Sequence, residues 1–373
     1  MVLTYIREVY LTLNISNSWN YNTNEQVLGL ELNDLTKDGR NEIIAYTKPG
    51  KIYIISSDGQ ILSREEITEK SPIWTLQISD INKDLKNELL IGALDGLLRV
   101  FQINKSLELK PLWAHQFGAS ISGIIIDDIN QDDKMEIIAY SLDRSLRVMD
   151  STNGSLIWGQ VFEEGIGDAI ILKQNSMRES IIAVGNDGTI RFFDAYNGDL
   201  LKFLRFSDKM RCVSCFKSQD KIMIVCGGDD KKAHVIDNNL KNEVKTISFD
   251  DILWKIKLIH KSLVLTTYSF DFLNEFVEKN NIIYSSKMLC LDENLNLKWE
   301  LKNVNTEIFT PCGKDIILGT TKGELMIVDG VNGKVVYKLN TSSCVNDIKY
   351  ETLSNTIYTC HDNGLISSYS LNG

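Results

Sequence analysis

Four prolines and four histidines in 373 residues are a sparse supply, and each scarcity excludes something. The histidines (His115, His234, His260, His361) are scattered. None forms the spaced pair of a metal site, and no Gly-x-Ser-x-Gly or phosphate loop occurs, so each reads as structural. No run of 18 apolar residues exists, which excludes a membrane-spanning helix. Basic residues are outnumbered 40 to 50 by acids, for a net charge of −10. Clustered Lys and Arg, which phosphate neutralisation requires, are missing, and this argues against nucleic acid or anionic membrane as the ligand. Near the N-terminus Arg7 and Glu8 interrupt the apolar run that a secretory signal needs, so the expected address is cytoplasmic. Cysteine is odd in number, seven, and irregularly spaced, and Cys226, Cys290, Cys344 and Cys360 sit in strand-like apolar runs. Buried reduced thiols are the expectation. The one CxxC, Cys212-Val-Ser-Cys215, has neither a second pair nor a helix N-terminus to give it metal or redox chemistry.

What the chain has is a repeat. Asp34-Leu-Thr-Lys-Asp-Gly-Arg-Asn-Glu-Ile-Ile-Ala-Tyr46 returns at Asp80 and again at Asp128, 46 and 48 residues on. Each copy is an acidic loop running into a short apolar strand. A period of this length indicates a radial or stacked repeat architecture. Short runs of Ile, Val, Leu, Phe and Tyr are broken by Gly, Asn and Asp every 8 to 12 residues, an all-β pattern.

A third-strand register carries the repeat through the whole chain. Gly50-Lys-Ile-Tyr-Ile-Ile55 aligns with Gly96–Phe101, Arg144–Met149, Gly188–Phe193, Lys231–Ile236, Ser286–Leu291, Gly323–Val328 and Gly364–Tyr369, eight copies in all. The leading Gly, or a polar stand-in, closes a hairpin with the preceding strand. A further turn and fourth strand follow in several copies, most clearly Asp150-Ser-Thr-Asn-Gly-Ser-Leu-Ile-Trp158. Units of four antiparallel strands and about 45 residues are propeller blades. The expected fold is one all-β domain over 1–373, a closed β-propeller with blades near 27–67, 73–116, 120–163, 166–206, 211–249, 252–302, 305–339 and 343–373. Because the eighth unit ends after its third strand, the strand-like segment 2–14 is expected to complete it and hide both edges. Seven blades is the alternative, since the fifth and sixth units are the most degraded.

The acidic motif resembles the FG-GAP repeat of integrin-α-type propellers, over blades 1 to 3. The Asp-x-x-Asn-Gly-x-x-x-Trp turn is similar to the repeat of quinoprotein-dehydrogenase-like propellers. The mixture also resembles intracellular FG-GAP scaffold propellers, of the kind found in the KICSTOR complex and in Bardet–Biedl trafficking complexes. That likeness implies a protein-binding propeller without catalysis. A quinone enzyme would need a cofactor pocket and a catalytic acid for which no matching residues appear, so the quinoprotein likeness is taken to extend to the fold alone.

Three groups of residues are candidate sites. In a calcium loop, oxygens at positions 1, 3, 5 and 9 surround a hard cation. Blade 1 offers Asp34, Thr36, Asp38 and Glu42; blade 2 offers Asp80, Asn82, Asp84 and Glu88; blade 3 offers Asp128, Asn130, Asp132 and Glu136. Calcium is the one cofactor these loops suggest. Thr36 is a poor ligand, however, and position 6 is Gly only at Gly39, with Leu85 and Asp133 elsewhere. The plainer reading is that the acids brace the loop through backbone N–H groups. Arg99, Arg147 and Arg191 share one register position in successive blades. They either pair with the loop acids or form a basic strip for an acidic partner. Residues 268–281 lengthen blade 6; there Phe272, Leu273, Phe276 and Val277 suggest one face of a short helix that packs on the rim or docks a partner, with Phe270, Phe272 and Phe276 as the docking aromatics. The expected function is a non-enzymatic scaffold that binds other proteins as a subunit of a cytosolic assembly. The alternative is a calcium- or small-ligand-binding propeller or a quinoprotein-like enzyme.

Overall fold

The computed structural model describes residues 14–173, 179–218, 221–239, 242–269, 286–341 and 343–372. Among these, every regular element is a β-strand, and the strands form eight antiparallel sheets of four. The sheets span 27–66, 73–116, 121–161, 166–205, 210–248, 252–302, 308–340, and 345–372 joined with 14–22. The degraded fifth and sixth units are therefore complete blades, and the ring has eight.

Within each blade the first strand is innermost and the last outermost. Second strands are sandwiched between neighbouring blades, which is why they read as continuous apolar runs. In Glu136–Ser141 all six residues are buried. Ile137 and Ala139 pack toward blade 2, while Ile138 and Tyr140 pack toward blade 4. The core is thus divided among the blade-to-blade seams, and each fully buried Ile or Leu contributes roughly 1.5–3 kcal/mol. Among the described residues, seven hairpins between second and third strands bend through a left-handed residue. Gly50, Gly96, Gly188, Gly323 and Gly364 adopt it with φ of 76 to 89°. Arg144 and Lys231 stand in at 77° and 61°.

An N-terminal strand closes the eighth blade. Asn14–Asn22 pairs antiparallel with Leu365–Asn372, from Asn14 opposite Asn372 to Asn22 opposite Leu365. This strand lies later than the expected 2–14. Only Asn14 of that stretch belongs to it, and residues 2–13 lie outside the described residues. The strand is fixed by sparse apolar contacts on either side of a bulge at Asn17/Trp19: Ile15 packs into the blade 7–8 seam, and Trp19 and Tyr21 pack into the 8–1 seam.

Candidate functional site

The acidic loops join first to second strands and share one backbone conformation. Position 4 is left-handed in each copy (Lys37, Lys83, Gln131; φ 58 to 60°). So is position 6, where Gly39 reaches 86° and Leu85 and Asp133 reach 66° and 68°. Leu85 and Asp133 therefore make the bend that glycine makes without a Cβ penalty. The side-chain oxygens hold this shape. In blade 3, Asp128 Oδ1 and Oδ2 accept from Asp132 N (3.1 Å) and Asp133 N (3.0 Å). Asn130 and Asp132 accept from Asp132 N and Lys134 N, both at 2.9 Å. Glu136 Oε2 accepts from Ile129 N, and its Oε1 from Asn130 Nδ2, both at 3.0 Å. Blade 2 repeats the pattern with Asp80, Asn82, Asp84 and Glu88. In blade 1, Asp34, Asp38 and Glu42 do the same, and Glu42 also accepts from Thr36 Oγ1.

These oxygens are aimed at backbone N–H groups and do not converge. Among the described residues no group of three or more His, Cys, Asp or Glu side chains is placed to hold a metal. A lysine also links successive loops: Lys37 Nζ donates to Leu85 O, and Lys83 Nζ meets Asp133 Oδ1 at 3.1 Å. Burial lifts Glu88, and lifts Glu136 to about 7 with help from Asp132, Asp128 and Asp150, against the N–H of Ile129.

On the opposite rim lie the arginines, out of reach of these loops. Each pairs with the hairpin Asp four residues before it: Arg99 with Asp95 (2.6 Å), Arg147 with Asp143 (3.1 Å) and Arg191 with Asp187 (2.7 Å). Two also reach back to the preceding blade. Arg147 donates to Gln116 O at 2.8 Å and lies 4.2 Å from the centre of the Phe117 ring. Arg191 donates to Val161 O at 3.0 Å and lies 4.0 Å from the Phe162 ring. Blade 5 puts His234 in this register. Its ring stacks on Phe206 at 3.8 Å, with Nε2 2.6 Å from Asp230 and Nδ1 2.7 Å from Glu243. Burial alone would lower its pKa, but the two carboxylates outweigh it and the net shift is upward. Among the histidines this one holds a defined electrostatic role that sequence did not single out. The signal was its alignment with Arg191.

The Asn-Gly turn motif works between blades. Trp113, Trp158, Trp299 and Trp19 lie over Gly154, Gly198, Gly333 and Gly59 of the next blade. Their indole Nε1 groups donate to Ser151 O, Ala195 O, Gly330 O and Ser57 O at 2.9 to 3.0 Å. In three of the four blades where the Trp is replaced, the substitute still reaches forward: Lys202 to Asn242, Lys245 to Leu295 O and Tyr337 to Ile15 O.

Every cysteine is free. Cys212 and Cys215 stand three apart on the strand Met210–Ser218, so they face opposite sides and cannot act as a pair. Of the blade 6 insertion, Phe270, Phe272 and Phe276 lie outside the described residues.

Inner strands surround a central channel whose charge sequence reading missed. One register contributes Glu31, Gln77, Ile125, Ile170, Ser214, Lys257, Thr310 and Lys349, all half-buried. Lys349 Nζ lies 2.9 Å from Glu31 and 3.8 Å from Asp347. Asp347 also accepts from Leu30 N at 3.0 Å, and Asp168 from Val213 N at 3.1 Å, stitching adjacent inner strands together. Burial holds Asp168 at about 6.

No protein-family model matches this chain, and no curated protein matches its sequence. Solved structures match by shape. The computationally designed Ika8 protein has a TM-score of 0.73 at 13% identity, over 94% of this chain and 97% of its own. Sqt1 of Saccharomyces cerevisiae has a TM-score of 0.77 at 10% identity, over 95% and 99%. BamB of Moraxella catarrhalis has a TM-score of 0.65 at 12% identity, over 96% and 100%. Likeness at these identities establishes the fold, a β-propeller. Among the described residues no helix is long and apolar enough to cross a membrane.

Proposed function

We propose that this chain is a non-enzymatic β-propeller scaffold that binds other proteins as a subunit of a cytosolic assembly, in the manner of the intracellular FG-GAP propellers its repeats resemble. One observation carries the reading. The outer strands and turns of blades 3 and 4 expose large apolar side chains: Leu156 (53%), Val161 (63%), Tyr196 (61%), Leu200 (48%) and Phe203 (51%), as well as Ile157 and Leu201. Aromatic and aliphatic anchors of this kind supply the energy of protein interfaces.

The tethering of the titratable side chains supports the non-enzymatic part. His115 faces Arg147, His234 its two carboxylates, His260 the Gly313 carbonyl, and His361 Thr359 and the Ser343 carbonyl. The acidic loops are occupied in bracing their own backbone. The test is affinity purification from native lysate with cross-linking, comparing the wild-type chain with a Leu200→Asp/Phe203→Asp variant. A partner that cross-links to residues 156–161 or 196–203 and is lost from the variant supports the reading. Recovery of the chain alone, or of partners indifferent to the variant, overturns it.

A further inference from the structure

The seam between blades 3 and 4 opens at the acidic-loop rim into a cavity of about 370 Å³. Ile129, Val148 and Ile157 give it apolar walls, and Trp158 and Tyr196 give it aromatic ones. Glu136 is the one charged side chain among the described residues that line it. Ile157 and Tyr196 are exposed, so they belong both to the cavity and to the apolar side chains named in the preceding subsection.

A comparison across blades shows what is unusual about Glu136. Opposite Glu88, its counterpart in blade 2, the third strand places Gln102, whose Nε2 donates to Glu88 Oε1 at 3.3 Å. Opposite Glu136 the third strand places Asp150, a like charge. Glu136 accepts one hydrogen bond on each oxygen, from Ile129 N and Asn130 Nδ2. An ionised carboxylate has about four acceptor positions, so two are left over. The charges that act on it most strongly are those of Asp132, Asp128 and Asp150, all negative, and with burial they lift its pKa to about 7. Of the lysines on this rim, Lys83 meets Asp133 and Lys173 meets Asp127, and neither lines the cavity. Space, spare acceptor capacity and a negative field therefore coincide. Among the described residues the acids do not gather in a group of three that could hold a metal ion. An organic cation suits the aromatic wall better, since a guanidinium stacks on aromatic rings and forks onto a carboxylate.

We propose that this cavity is a socket for an arginine side chain of the protein partner, with the guanidinium against Trp158 and Tyr196 and hydrogen-bonded to Glu136. This rests on the scaffold reading above and adds to it the residue type by which the partner is recognised.

The test is titration of the chain with N-acetyl-arginine amide, followed by NMR at the Trp158 indole N–H, beside the uncharged N-acetyl-citrulline amide. The arginine amide should saturate with a Kd on the order of millimolar, as for a single side chain acting alone. The citrulline amide should bind about ten-fold more weakly or worse. Glu136→Gln and Tyr196→Ala should each weaken the arginine amide about five-fold or more, while Tyr196→Phe binds like wild type. Circular dichroism melts establish that the variants are folded, and if Glu136→Gln is not, Tyr196→Ala, at an exposed position, decides. No saturation, citrulline binding equal to arginine, or affinity unchanged in these two variants overturns the proposal. The titration needs no partner, so it can fail while a partner is still captured through Leu200 and Phe203, and the scaffold reading then stands without the socket. A captured partner whose cross-linking Tyr196→Ala leaves unchanged has the same meaning. Saturable binding with no partner captured would instead overturn the scaffold reading, and with it the partner as the source of the arginine.

Discussion

Trp158 of blade 3 and Gly198 of blade 4 are pressed together so closely that a Cβ on the glycine would fall 2.5 Å from Cε3 of the indole. The same indole donates to Ala195 O at 3.0 Å, so the contact is both steric and polar. Gly198 also sits at φ +76°, where a side chain is strained whatever the space. Repeated at four seams, this clasp ties the outer strand of one blade to the outer turn of the next.

Gly198→Ala should therefore cost about 2–4 kcal/mol, combining left-handed strain with overpacking. Gly39→Ala provides the comparison. Gly39 is equally left-handed, at φ +86°, but a methyl group added to it would meet nothing within 4 Å. It should lose only the backbone part, about 1–2 kcal/mol. Urea denaturation of the two variants separates the terms, and equal losses would mean that the indole yields freely.

Leu85→Gly should leave stability unchanged or raise it by up to ~1 kcal/mol. Leu85 is 76% exposed and held at φ 66°, so its side chain gives little burial in return for its strain. Glycine removes a left-handed penalty of about 1–2 kcal/mol and adds back about 0.5–1 kcal/mol of chain entropy. The Lys37 contact is to the Leu85 carbonyl and survives the change. Thermal melts decide, and a clear loss would mean that Leu85 packs against something.

These two cases mark what could be read from sequence. Blade count and boundaries were legible because the third-strand register recurs eight times, even where the hairpin glycine becomes Arg144 or Lys231. The bracing role of the loop acids was legible as turn chemistry. The location of the closing strand was not, because Asn14-Ile-Ser-Asn-Ser-Trp-Asn-Tyr-Asn22 looks like a turn unless one knows that only Ile15, Trp19 and Tyr21 must be apolar. The partners of Arg147 and Arg191 were misplaced for a geometric reason. Hairpins and acidic loops lie on opposite rims, so the hairpin Asp is the acid within reach. The Trp motif was visible, but its glycine partner is the one about 40 residues on, in the next blade.

His234 makes stability depend on pH in a way its arginine counterparts do not. Its folded pKa lies above the ordinary 6.5, held up by Asp230 and Glu243 against burial. The imidazolium is thus favoured in the folded state. Its stabilisation is complete below pH 6.5 and is lost as pH rises through the folded value. His234→Arg, which restores the residue type of blades 3 and 4, should flatten that part of the profile. Equilibrium unfolding of both proteins from pH 6 to 9 reads the difference, and parallel profiles would remove His234 as the cause.

If the acidic loops brace themselves, millimolar calcium should leave the melting temperature where it was. Glu136→Ala should destabilise by about 1–3 kcal/mol, because Ile129 N and Asn130 Nδ2 lose their acceptor. The pH trend of Glu136 opposes that of a paired carboxylate. With its pKa raised from 4.5 to about 7, it binds its proton more tightly when folded, so its contribution falls as pH rises across that window. A melting temperature that calcium raises in the wild-type chain and not in Glu136→Ala would reassign the loop as a metal site.

The eighth blade offers the sharpest test of how the ring holds together. Its outermost strand comes from the other end of the chain, and Trp19 repeats the Trp158 clasp by donating to Ser57 O of blade 1 at 2.9 Å over Gly59. Trp19→Ala should cost about 3–5 kcal/mol, as for other large aromatic truncations at packed seams. Removing residues 1–22 should do more. It takes away Ile15 and Tyr21 as well and leaves Leu365–Asn372 as an unpaired edge, which favours association between chains. A synthetic peptide of residues 14–22 added in trans should bind the truncated ring and raise its melting temperature, while the same peptide with Trp19→Ala should bind more weakly. A truncated chain that melts like the full one and stays monomeric would show that the ring does not depend on this strand.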